Sequence, residues 1–362
     1  MWSTLPFDPL SVIFSYLSPD SFARAKSVCK NWCSCANSAA AAPLPPEARR
    51  SQLPWFIALP TRFQKLVCYA HNPLNNYWHT LPLDFIPYPF RPVASTGGGL
   101  VLLRLASSTT LQLAICNPFT RQLRHLPMLN TPRTNPAVGV IESPNSSYRI
   151  YVAGGMSEAA SYVPTLEIYE SGGDKWRVIG AMPMEYAVRL TVWTANEGVH
   201  SNGVLYWITS ARAYSIMGFE VETKKWRQLS VPMGDRLEFA ALLVARKGQL
   251  SVVGGGGGVW VWELGEDDKW SVIETMPLEL GMRLLGGNGS WGNVKCVGGI
   301  DGRAVYLYRD VGEGMVVWRG CVENGGWQWC WVEGCNSSVR ENQLHNFPIK
   351  GLLLHPNLRL CA

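Results

Sequence analysis

The chain has 362 residues, of which 47% are hydrophobic and 16% charged, enough apolar material for one large core and a small accessory module. Its 32 basic and 27 acidic side chains give a formal net charge of +5 and are dispersed without a run of five like charges, so no electrostatic footprint for nucleic acid is expected. The 35 glycines and 16 tryptophans instead point to many tight turns and a recurring aromatic packing position, the composition of a repeated β architecture.

Residues 1 to 8 lack a basic stretch followed by an apolar core, so no secretory signal is expected and the nucleus and/or cytoplasm is the expected location. The most apolar late stretch, Leu250 to Leu264, is interrupted by Gly254 to Gly258 and is too short to span a bilayer, so no membrane partner is expected. Ten cysteines in such a chain are expected to be reduced thiols. Cys33/Cys35 and Cys330/Cys335 lack the paired spacing of a zinc module and the six histidines are scattered, so neither a metal nor another cofactor is expected.

Residues 1 to 40 contain no glycine, and their apolar residues recur at steps of three and four, which predicts a small all-α module. Asp8-Pro9 reads as a cap followed by a first-turn proline, with Leu10, Ile13, Phe14 and Leu17 on one stripe. Ser18-Pro19 starts a second helix carrying Phe22, Ala25, Val28, Cys29 and Trp32. So short a segment cannot bury all of these side chains within itself and needs a partner surface.

Leu5-Pro6, Leu10, Ile13, Leu17, Pro19, Phe22, Arg24 and the run Ser27-Val28-Cys29-Lys30-Asn31-Trp32 resemble the F-box, with Phe7 departing from the acidic residue usual after Leu-Pro. The resemblance implies docking on a Skp-family adaptor and, through it, on a cullin-RING ubiquitin ligase. It places Leu5, Pro6, Leu10 and Ile13 between helices of the adaptor, with Leu17, Val28, Cys29 and Trp32 ordering the module and completing the surface.

Residues 41–54, rich in alanine and proline, read as a semi-rigid linker. From residue 55 onward one phrase returns: a strand, a polar turn, an aromatic or leucine, then a proline. The markers Trp78, Leu123, Trp176, Trp226 and Trp270 are separated by 45, 53, 50 and 44 residues, and a degenerate copy ends near Trp327 or Trp329. A period near 50 is that of kelch-type propeller blades. Residues 55–362 then make about six four-stranded blades, closed by N- and C-terminal strands sharing one blade, to which Ile349 to Leu354 or Trp55 to Leu59 is expected to contribute. With the Cys116-Asn117-Pro118-Phe119-Thr120 box and the N-terminal module, the plan resembles the plant F-box/kelch-repeat family along the whole chain, although the blades lack the full Gly-Gly-Tyr-Trp grammar of strict kelch repeats.

The family resemblance implies a non-catalytic substrate receptor of a Skp-cullin-F-box ubiquitin ligase, whose propeller loops hold the protein to be modified. Arg133, Arg189, Arg236 and Arg283 follow the blade-ending prolines by four to six residues, and the last three are spaced by 47. Equivalent blades would set them around one channel mouth, where guanidinium forks suit an acidic or phosphorylated segment. Tyr186, Trp193, Phe239 and Trp291 lie beside them in sequence, while Glu185, Glu238 and Glu279 are near enough to pair with the arginines instead. An interaction scaffold outside a ligase is the alternative. A propeller oxidase is remote, because His71, His79, His125, His200, His345 and His355 show no ligand spacing and no nucleophile or phosphate motif is present.

Overall fold

The computed structural model describes residues 5–38, 53–61, 66–96, 98–106, 109–143, 147–186, 198–209, 214–246, 248–287, 289–299, 301–321, 325–337 and 348–358. Three short helices come first: α1 (Phe7–Tyr16), α2 (Pro19–Lys26) and α3 (Lys30–Ser38). Ser18 caps α2, its Oγ accepting from the Ser21 N–H at 3.4 Å. Asp8 does not cap α1. That helix starts two residues earlier than expected, at Phe7 with Pro6 at the cap, and Pro9 is tolerated because first-turn N–H groups have no intrahelical acceptor.

Six four-stranded antiparallel sheets follow. Blade 1 is built from β1 (Trp55–Pro60), β2 (Val67–Asn72) and β3 (Tyr77–Pro82); blade 2 from β4 (Phe90–Ser95), β5 (Val101–Leu105), β6 (Gln112–Asn117) and β7 (Gln122–His125). Blade 3 comprises β8 (Ala137–Glu142), β9 (Tyr148–Ala153), β10 (Thr165–Glu170) and β11 (Arg177–Ala181), and blade 4 β12 (Val199–Ser201), β13 (Val204–Thr209), β14 (Ser215–Glu220) and β15 (Trp226–Ser230). Blade 5 holds β16 (Phe239–Ala245), β17 (Gln249–Gly255), β18 (Val259–Leu264) and β19 (Trp270–Thr275). A helix, α4 (Leu278–Leu285), leads from it to blade 6, made of β20 (Lys295–Gly298), β21 (Ala304–Tyr308), β22 (Gly314–Gly320) and β23 (Trp327–Glu333). The last strand, β24 (Ile349–Leu354), returns to blade 1 as its innermost strand, pairing Trp55 with Leu354 and Pro60 with Ile349. The fold is therefore a six-bladed β-propeller with a small N-terminal helical region, and the ring closes through the two segments that the sequence nominates.

The second and third strands of each blade are covered on both faces by neighbouring blades, so they read as unbroken apolar runs such as VLYWIT and AVYLY, not as alternation. In β1, Trp55, Ile57 and Leu59 pack towards blade 2, while Phe56 and Ala58 pack towards Tyr306 and Tyr308 of blade 6. Outer strands are largely exposed, as in β11. The marker tryptophans open these outer strands and tie blades together. Trp78 Nε1 donates to the Glu333 carbonyl of blade 6 at 2.9 Å, Trp176 Nε1 to Pro127 at the end of blade 2 at 2.8 Å, and Trp270 Nε1 to Ser230 of blade 4 at 2.8 Å. None of the nine described cysteines is in a disulfide.

Antiparallel order gives the ring two unlike faces. The connections between blades emerge on one, together with the loops joining second and third strands; the tight turns joining first to second and third to fourth strands lie on the other.

Candidate functional site

The helical module sits on the turn face. Asp20 of α2 accepts from Asn72 Nδ2 at 2.6 Å and Asn75 Nδ2 at 3.3 Å, and lies 3.3 Å from His79 Nε2, all in the outer turn of blade 1. Leu358, just past β24, packs against the module's own core of Leu10, Phe14, Phe22, Ala25, Cys35 and Ala36. The equivalent turn of blade 2 holds this tail, Asn117 Nδ2 donating to the Asn357 carbonyl at 2.8 Å. The Asn-Pro boxes of blades 1 and 2 thus share one geometry, the Asn side chain closing its own turn and reaching a non-propeller segment. The linker assigned to residues 41–54 lies, apart from its last two residues, outside the described residues.

The sequence-nominated adaptor contacts divide into two groups. Leu10 is 0% exposed and belongs to the module's interior, so it orders the module and does not reach a partner. Leu5, Leu17 and Trp32 also lean on that core, Trp32 meeting Phe14 edge-on at 5.5 Å, and Cys29 is half-buried with its Sγ 3.5 Å from the Trp32 N–H. Pro6, Ile13 (42%) and Val28 (58%) are exposed. Val12 (58%) and Tyr16 (73%), which the sequence reading passed over, join Ile13 on the outward side of α1. Their four-residue spacing is the signal that identifies them, since residues i and i+4 share a helix face.

The three described arginines of the nominated set lie in unlike surroundings. Arg133 is fully buried; Nη1 donates to Glu167 Oε1 at 2.5 Å and to the Thr131 carbonyl at 2.9 Å, and Nη2 donates to the Val152 carbonyl at 3.0 Å. Glu167 in turn accepts from the Asn130 N–H and side chain, so the pair fastens the blade 2 to blade 3 connection. Burial holds the Arg133 guanidinium below its ordinary pKa, and Glu167 offsets part of that shift. Arg283, in the last turn of α4, pairs with Glu333 at 2.7 Å and lies 4.1 Å from the centre of the Trp331 ring. The partners of Arg133 and Arg283 are Glu167 and Glu333, not the sequence-near Glu185, Glu238 or Glu279. Arg236 is exposed and makes no ion pair among the described residues. Arg189 and Trp193 lie outside the described residues.

Of the described nominated aromatics, Phe239 and Trp291 are buried and Tyr186 is half-buried. Phe239 and Trp291 stack at 6.2 Å within the blade 5–6 core, and Tyr186 packs against the blade 3–4 core beside Trp226. The connections also expose a recurring set of large flexible apolar side chains. Met128, Met184, Met233 and Leu278 each follow the proline that ends an outer strand, and each is exposed, as is Met282 one turn further along α4. The repeated Pro-Met and Pro-Leu pairs are readable in the sequence once the phrase is carried one residue past its proline. Among the described residues no three His, Cys, Asp or Glu side chains are grouped to hold a metal ion.

Comparison with known proteins agrees with this architecture. Relatives in Arabidopsis thaliana include the protein UNUSUAL FLORAL ORGANS, 25% identical over 82% of this chain and 72% of its own, and an F-box/kelch-repeat protein, 27% identical over 76% and 70%. An Arabidopsis F-box protein is 26% identical over 75% of this chain and 79% of its own. An F-box-like domain matches residues 2–40, and with the F-box associated beta propeller domain matching residues 92–276, half of the chain, this protein belongs to the F-box associated β-propeller family.

Proposed function

We propose that the chain is the substrate-recognition subunit of a Skp-cullin-F-box ubiquitin ligase. α1 docks on a Skp-family adaptor, and the connection face of the propeller holds the protein to be ubiquitinated. The observation that carries this reading is the placement of two unpartnered apolar surfaces on opposite sides of the molecule: Val12, Ile13, Tyr16 and Val28 on the helical module, and Met128, Met184, Met233, Leu278 and Met282 along the blade connections. Apolar side chains displayed in groups mark interaction surfaces, and methionine suits a surface that must adapt to its partner. The chain itself performs no chemistry in this scheme. It raises the concentration of a bound protein near the ligase's reactive thioester.

The test is co-precipitation of a Skp-family adaptor with the intact chain and with an Ile13→Asp, Tyr16→Ala variant. Loss of binding by a variant that keeps its native melting curve supports the reading. Failure of the intact chain to bind moves the assignment to a scaffold outside the ligase.

A further inference from the structure

A cavity of about 520 Å³ occupies the centre of the ring between the innermost strands. Lys295 opens β20 and Lys350 is the second residue of β24; both strands run inward from the connection face, so the two amines lie at that mouth of the channel. Lys295 Nζ donates to the Ile349 carbonyl at 2.6 Å and Lys350 Nζ to the Val93 carbonyl at 2.8 Å, tying the inner strands of blades 6, 1 and 2 across the join where the chain ends meet. An ammonium carries three donors, and this contact uses one of those on Lys295.

Among the described residues no carboxylate lies within 4.0 Å of Lys295 Nζ. Glu142, at the opposite end of β8, and Glu238, which accepts from the Ser290 hydroxyl at 3.1 Å, line the same cavity without pairing with Lys295; His200 lines it too. Burial and the neighbouring Lys350 ammonium hold the Lys295 amine below the usual lysine range. Two ammonium groups that line one mouth of the same cavity and repel each other are stabilised by an anion placed between them, and 520 Å³ is within the range of small-molecule sites.

We propose that Lys295 and Lys350 form an anion site at the connection-face mouth of the propeller channel, taking a carboxylate or phosphate group. The group belongs either to a small organic anion or to the acidic end of a docked protein. The site rests on the channel geometry alone and not on the ligase reading.

The probes are inorganic phosphate and hexaglutamate, titrated into the full chain in complex with its Skp-family adaptor, or into the chain alone if no adaptor binds. Lys295→Gln and Lys350→Gln each keep a donor for the seam carbonyl while removing the charge. Saturable phosphate binding that weakens at least tenfold in either variant and returns to within about threefold in Lys295→Arg supports the site. Comparable affinity for the two probes indicates a free small anion, and hexaglutamate binding more than tenfold tighter indicates an acidic segment. A readout independent of the variants' folding is acylation of Lys295 in the native chain by an amine-selective reagent, which phosphate is expected to slow. Binding unchanged in the Gln variants, or acylation unaffected by phosphate, overturns the proposal whether or not adaptor binding is intact.

Discussion

The helical module and the propeller solve the same burial problem with unequal means. The propeller returns its last strand to its first blade, so each blade is packed between two others and six apolar interfaces close on themselves. The described part of the module has 34 residues and six buried side chains, and it borrows Leu358 from the far end of the chain. Chains below about 40 residues seldom stand alone without help. The difference teaches where recognition can sit: in the ring, surface left unburied lies on loops and outer strands, whereas in the module it is a helix face with no covering element.

The largest expected effect breaks the ring at its most committed polar contact. Arg133→Ala strands the Glu167 carboxylate in the interior and is expected to cost about 3–5 kcal/mol, visible as a collapse of the melting temperature. Replacing both partners by apolar residues of similar volume is expected to restore most of the loss. Leu10→Ala is next, at about 2–5 kcal/mol, and is expected to melt the module while leaving the propeller transition in place; a single shared transition lowered by that amount would show the two regions to be one cooperative unit. Trp176→Phe removes the indole donor to Pro127 and is expected to cost about 1 kcal/mol, measured by denaturant midpoint.

A pH scan sharpens the comparison within blade 1. Burial lowers the pKa of His71, whose Nε2 sits 2.9 Å from Asn76 Oδ1, so the folded chain holds this imidazole neutral more firmly than the unfolded chain does. The unfolded state therefore binds the proton first, and stability is expected to fall as pH drops below about 6.5, the ordinary histidine value. A His71→Gln variant flattens that slope. Smallest of all, Val12→Ser and Tyr16→Ser are expected to shift unfolding by no more than about 0.5 kcal/mol while weakening adaptor binding at least tenfold.

Much of the ring was legible before the structure because its repeating phrase marks an equivalent mechanical position each time. A tryptophan that opens an outer strand, a turn before it and a proline after it locate a blade without any three-dimensional information. For the three described arginines, similar offsets from the proline hide connections that are unlike. Residues 126–136, 231–238 and 276–294 differ in length, and the last contains a helix, so like offsets reach a buried carboxylate, open solvent and a tryptophan face. On α1 the three- and four-residue steps identify an apolar stripe but not which edge of it faces inward. Leu10 and Phe14 took the interior and Ile13 fell outside because α2 and α3 cover only one side of the stripe. Lys295 and Lys350 carried no sequence signal, being 55 residues apart and adjacent only through ring closure.

That closure has a consequence for how the protein is made. The strand completing blade 1 leaves the ribosome after the other 23 described strands, and Leu358 follows it. Until β24 emerges, blade 1 lacks its inner strand and the module, although translated before the ring, lacks part of its seat. Pairings this distant in sequence form slowly and leave apolar edges open while they wait. A chain stopped before residue 349 has the three described helices of the module but no closed ring, so chaperone capture of the nascent chain is expected to persist until β24 has emerged.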